Sequence, residues 1–287
     1  MGPEQLAAQL LLNGTMLSLV YLLVALGLAL VFGILHILNF AHGSIYMLGA
    51  YMCFVFTQRL GLNYIVSVIL SVLAVGILGI IIERFLVRPV REEMLTSFLV
   101  LLGLSMVLEN GTELIFGLTD KTIPRVVPGV LSVLGATVSY ERLVIAVVAA
   151  LLVIGLLVFV QRTKAGKALR AVRQDSEGAA LQGISPGRIS ALTMFIGCAL
   201  AAAAGSLMAP VFVINPYIGT TPVLKGFIII VVGGLGSIPG TIVAAFILGF
   251  IDSVGGTLIP GGYAELIGFG LLLAIIIAKP SGLLGRE

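Results

Sequence analysis

A chain of 287 residues that is 59% hydrophobic and only 10% charged, with a mean hydropathy of +1.20, lies outside the composition of soluble domains and needs lipid as its solvent. Its net charge of +3 comes from basic residues grouped between apolar stretches. That grouping excludes the continuous basic stripe of a nucleic-acid binder and reads as topology signals.

In chain order, Met1 to Gln9 carries no Lys or Arg, and the apolar run that follows exceeds a signal-peptide core, so it reads as a retained span. Spans are expected at about 10–35, 64–82, 94–116, 143–160, 189–214 and 263–278, each near the roughly 20 residues that cross a bilayer. Two regions resist this count. Gln5 to Gln58 holds no formal charge apart from His36 and His42, and as one helix it would reach about 80 Å. It must turn back, and His36, Asn39, His42, Gly43 and Ser44 are where it can. Residues 218–259 are apolar but interrupted by Gly233, Gly234, Gly236, Ser237, Pro239 and Gly240, so a helix there should also break. Broken helices at corresponding places point to a substrate path, because freed backbone groups at membrane depth survive only against protein or water. Gly43-Ser44-Ile45 can be laid over Gly236-Ser237-Ile238; an internal two-fold repeat and two unrelated kinks both remain open.

Arg84, Arg88 and Arg91 share one loop, and Arg162, Lys164, Lys167, Arg170, Arg173 and Arg188 surround another, so both loops should face the cytoplasm. Counting residues 36–58 as a full crossing puts the N-terminus outside, and counting them as re-entrant puts it inside. Two ridges of small residues predict close helix contacts: Gly197, Ala201, Gly205, Ala209 and Thr241, Ala245, Gly249, Ser253. The whole reads as an all-α polytopic membrane protein of about eight transmembrane segments, one domain over 1–287, with broken or re-entrant helices.

Residues 161–188 form the longest polar insertion. Lys164, Lys167, Arg170 and Arg173 recur every three residues on one side of a helix, and Gly183 followed by Pro186 makes a stop. A short helix at the membrane surface is expected. Its basic residues suit either anionic lipid or a docked partner, and the small residues Gly178, Ala179, Ala180 and Gly183 suit a partner.

Gly166-Lys167-Ala168-Leu169-Arg170-Ala171-Val172-Arg173-Gln174-Asp175, continuing through Ala179-Ala180-Leu181-Gln182-Gly183-Ile184, resembles the ATPase-docking loop of ABC permeases of the LivH type. Asn39-Phe40-Ala41-His42-Gly43, the run Val232 to Gly240, and the ending Lys279 to Arg286 match the same family in the same order. The resemblance implies a multi-pass permease of the bacterial inner membrane that carries branched-chain or related amino acids. A LivM-like second permease, two cytoplasmic ATPases and an external substrate-binding protein would be its partners. Residues 166–184 would couple ATP hydrolysis to transport through Gly166, Lys167, Arg170, Arg173, Asp175, Ala179, Ala180 and Gly183. Asn39, His42, Gly43, Ser44, Gly233, Gly234 and Gly236 would line the pathway, and the C-terminus would be cytoplasmic. Related permeases also serve urea or short amides.

No stretch fits a phosphate-binding G-x-x-x-x-G-K-[ST] loop, so ATP and Mg belong to partner ATPases and no cofactor is expected on this chain. Two histidines without clustered cysteines or carboxylates do not suggest a metal site, Cys53 and Cys198 read as buried thiols, and no catalytic set stands out. An ion-coupled transporter should place a carboxylate or hydroxyl cluster at its breaks, and the sequence around 39–44 and 233–240 shows none. Glu109 and Glu113, four apart on one face, read as interfacial structure in preference to substrate contacts. Lys225 is expected to pair with Asp252 or Glu265.

Overall fold

The computed structural model describes residues 3–133, 136–258, 263–279 and 282–284. Eleven helices occupy them: α1 Pro3–Leu35, α2 His42–Phe54, α3 Tyr64–Ile82, α4 Met94–Phe116, α5 Tyr140–Arg162, α6 Lys164–Gln174, α7 Ser176–Leu181, α8 Pro186–Met208, α9 Thr220–Gly233, α10 Ile238–Leu258 and α11 Tyr263–Ala278. Single π-helical turns extend α2 over Val55–Arg59 and α3 over Glu83–Val87, and a small hairpin, β1 Val130–Val133 with β2 Ala136–Ser139, precedes α5.

Helix α1 is the axis of the fold. Residues 22–31 are all buried, and a helix apolar on every side is stable only when enclosed on every side. Helices α8, α9 and α10 pack along it. Because lipid is as apolar as leucine, close backbone approach and hydroxyl bonds must supply the adhesion, and both expected ridges do so. A Cβ at Gly197 would meet Val31 of α1, and one at Gly205 would meet the Tyr46 carbonyl of α2. On α10, Gly249 lies against Ser18, while the Ser253 hydroxyl donates to the Leu10 carbonyl at 2.9 Å. Between α9, α10 and α1, Lys225 pairs with Asp252 at 2.8 Å, and the Tyr21 hydroxyl donates to the same carboxylate at 2.9 Å. The expected Lys225 pairing thus falls on Asp252; the Glu265 side chain lies outside the described residues.

Six helices among the described residues are long and apolar enough to cross a membrane: α1, α3 with its π turn, α4, α5, α8 and α10. This set includes α10, which the plain span count had left inside a broken region. It ends the fifth span at Met208 rather than 214, and α11, counted from sequence as a span, is a 16-residue helix.

The two basic loops lie at one end of the molecule. Arg88, ion-paired with buried Glu83 at 2.9 Å, donates to the Gly187 carbonyl at 2.8 Å, and Arg91 reaches the Ser190 hydroxyl at 3.4 Å. Helix α1 ends beside Arg173 at this end and begins at the opposite one. Residues 36–41 and α2 lead the chain back from the basic end, and the start of α1 lies at the end opposite the basic loops. Backbone bonds from Leu283 to Val232 (2.8 Å) and from Leu284 to Gly233 (3.2 Å) hold the C-terminal stretch at the basic end. Of the matched ending, Pro280, Ser281, Gly285 and Arg286 lie outside the described residues.

Candidate functional site

The turn after α1 is made by His36, the one non-glycine among the described residues with a left-handed backbone (φ 57°), a conformation that stops a helix. Residues 36–41 then climb back into the bundle, so that α2 begins deep inside it. His42 Nε2 lies 3.2 Å from the Val24 carbonyl of α1, eleven residues before that helix ends, or about 16 Å. That depth is close to the middle of a hydrocarbon core about 30 Å thick.

Helix α9 begins against the same place. A Cβ on Gly43 would stand 2.7 Å from the Gly219 carbonyl, and one on Gly219 would overlap the Gly43 carbonyl, so the backbones cross where only glycine fits. From this crossing α2 runs outward and α9 runs toward the basic end. Neither helix start has a side-chain cap, so the positive ends of two half-helices converge near the bilayer centre. Asn39 and His42 are buried here, and both side-chain polar atoms of Asn39 and Nδ1 of His42 have no partner among the described residues. Buried polar atoms are bonded in the great majority of cases, so such exceptions mark a place where a water or solute belongs.

The second break lies elsewhere. Helix α9 ends at Gly233, and Gly234 (φ 100°) and Gly236 (φ 78°) turn the chain into α10. A Cβ on Gly236 would stand 3.3 Å from Gly33 Cα and 3.4 Å from Arg173 Nη2, so this break sits at the basic end. Asn39, His42, Gly43 and Ser44 are therefore one group, and Gly233, Gly234 and Gly236 are another at a different depth. The overlay of Gly43-Ser44-Ile45 on Gly236-Ser237-Ile238 pairs positions the fold does not make equivalent: α2 starts at mid-depth, α10 at the basic end, and the partner of the α2 start is the α9 start.

The polar insertion folds as two helices, α6 and α7, where one was expected. Thr163 accepts from the Gly166 amide at 2.9 Å and starts α6, while Asp175 is extended and accepts from the amides of Glu177 and Gly178 at 3.0 Å, starting α7. An Asp that caps a new helix cannot continue the old one. Leu169, Val172, Ala179 and Ile189 form a small core beneath the pair, and Gly166 lets α6 touch the Val160 carbonyl of α5. Lys164, Lys167, Arg170 and Arg173 stay exposed. At the tip Ala180 and Gly183 are exposed, and Leu181 is 87% exposed. Arg170 and Arg173 also join Gln161, Ser237 and Pro239 around a cleft of about 840 Å³, so the insertion and the α9–α10 break share one surface.

Glu109, read from sequence as interfacial structure, belongs to a group that the sequence did not assemble. Ser105 and Glu109 of α4 reach across to Ser44 in the first turn of α2: Ser44 donates to Glu109 Oε1 at 2.8 Å, Ser105 donates to it at 3.0 Å, and the two hydroxyls are 2.7 Å apart. A carboxylate and two hydroxyls thus stand at the first break, where the sequence had shown none. The four-residue spacing of Ser105 and Glu109 was the available signal.

The model of the branched-chain amino acid transport system permease component family matches residues 10–276. The chain belongs to this family. It is similar to the high-affinity branched-chain amino acid transport system permease protein BraD of Pseudomonas aeruginosa, 36% identical over 97% of this chain and 95% of that protein. The permease protein LivH of Escherichia coli K12 is 35% identical over the same shares, and the probable LivH of Methanocaldococcus jannaschii is 25% identical over 99% and 95%. No solved structure matches. The chain is a multi-pass transport permease.

Proposed function

We propose that this permease is the membrane-spanning subunit of an ATP-driven ABC importer in the bacterial inner membrane, and that it carries branched-chain or related amino acids. The family relatives named for that substrate support the reading, and the observation that carries the mechanism is the tip of α7. Ala180, Leu181 and Gly183 are exposed on a unit whose underside is packed onto α5 and α8, so force on the tip passes to the bundle. A cytoplasmic ATPase pair, holding ATP and Mg, docks there. Through Arg170, Arg173 and the cleft beside Gly236, movement of α6 and α7 is passed to the α9–α10 break and along α9 to the central crossing, where Asn39, His42, Gly43 and Ser44 line the route. A related second permease closes the pathway, and an external binding protein delivers the solute.

The test is co-purification. Ala180→Glu places a charge in the docked surface, and overpacking or burying it costs about 1–3 kcal/mol, or roughly five- to a hundredfold in association. The ATPases should be lost from the purified assembly and uptake of labelled leucine should fail. Neutralising Lys164, Lys167, Arg170 and Arg173 together should leave the ATPases bound. Retained ATPases with Ala180→Glu would make the insertion a topology signal only.

A further inference from the structure

We infer that Glu109, with Ser44 and the start of α2, forms the site that reads the ammonium group of a transported amino acid, which makes this permease a carrier of zwitterions in preference to neutral amides. This inference rests on the importer reading above.

Glu109 lies in the half of α4 beyond Ser105, within the membrane-crossing helix Met94–Phe116. An ionisable side chain at such depth is costly and faces either protein or water, and as a rule it marks a solute path. Two hydroxyls bond one of its oxygens, Oε1. No Lys or Arg among the described residues pairs with it, since the two ion pairs found there are Arg88–Glu83 and Lys225–Asp252. Oε2 accepts no bond from a described residue. The carboxylate is held from one side only, by the two hydroxyls on Oε1, and Glu109 is half-buried.

Two further features fit a zwitterion. The Ser44 hydroxyl that holds Glu109 belongs to the first turn of α2, so a negative group stands beside the first turn of a helix whose start has no side-chain cap. An α-amino acid presents its ammonium and carboxylate at similarly short spacing, and a helix start favours the carboxylate. Independently, the Asn39 side chain at this same start is 1% exposed with neither polar atom bonded among the described residues, which leaves a donor and an acceptor for a solute or its water. Nearer the outer end of α4, one turn on, Glu113 meets the Tyr217 hydroxyl at 3.5 Å, extending the acidic face outward.

Labelling and transport together test this in the assembled transporter. The thiol introduced by Glu109→Cys should react with a cationic, water-soluble methanethiosulfonate, and the thiol introduced by Val107→Cys, on a side chain 67% exposed in the middle of α4, should stay slow in lipid. The native Cys53 and Cys198 are buried and contribute little background. Leucine should protect the Glu109→Cys thiol and acetamide should not. In uptake, Glu109→Gln should raise the KM for leucine by about tenfold, the loss expected when a charge-assisted bond becomes neutral. Glu109→Asp should recover part of it. Labelling as slow as at Val107→Cys, or a wild-type KM in Glu109→Gln, overturns the inference and leaves Glu109 a tie between α4 and α2. A wild-type assembly that does not take up leucine counts instead against the substrate reading, while the labelling still decides whether Glu109 faces water.

Discussion

The break before α2 and the break between α9 and α10 use the same vocabulary of glycine and serine, yet they solve different problems. Before α2 the chain turns on a left-handed His36 and leaves buried polar side chains without a partner among the described residues at mid-depth. Between α9 and α10 it turns on Gly234 and Gly236, packed against Gly33 and Arg173 at the basic end. The first is built like a place for a solute, the second like a hinge against the α6–α7 unit. Small residues permit a break, and neighbours decide its use.

Helix α9 joins the two, and Lys225 holds it. Removing one partner of a buried pair leaves an uncompensated charge and costs about 3–5 kcal/mol. Lys225→Met should therefore produce the largest loss, seen as a sharply lower melting temperature of the purified assembly in detergent, and Lys225→Met with Asp252→Leu should recover most of it. A melting temperature unchanged by Lys225→Met would show that the pair does not anchor α9.

Valine at each break separates the two roles. Gly219→Val overfills the crossing with Gly43, at a cost of about 1–3 kcal/mol, and should lower both stability and uptake. Gly236→Val strains a left-handed backbone by about 1–2 kcal/mol and should chiefly uncouple: ATP hydrolysis persists while its stimulation by substrate falls. The comparison breaks if both variants show the same stability and uptake defects.

Asn39→Leu should have the smallest effect on stability and the sharpest meaning. It removes buried polar atoms without partners among the described residues, whose desolvation costs about 1–3 kcal/mol, so the melting temperature should hold or rise while leucine uptake falls. Normal uptake would make the first break a passive kink.

Much of this was legible before folding. The uncharged run from Gln5 to Gln58 had to turn, and it turned within the polar cluster named for it, because a helix of that length outruns the bilayer. The ridges on α8 and α10 were readable because small residues four apart lie on one face. The division of the polar insertion into α6 and α7 was missed, since Asp175 in a helical sequence signals a cap only when its backbone is extended.

Sequence by itself determined that the chain lives in lipid, where it must break, which end carries the basic loops and to which family it belongs, because composition, charge and local spacing depend on residues close together along the chain. Tertiary structure alone decided the depth of each break, the meeting of α2 with α9 in place of α10, and the approach of Glu109 to Ser44. Those residues are 65 positions apart, and no local period links them; only the packing of α4 on α2 brings a carboxylate to a helix start that neither segment could place alone.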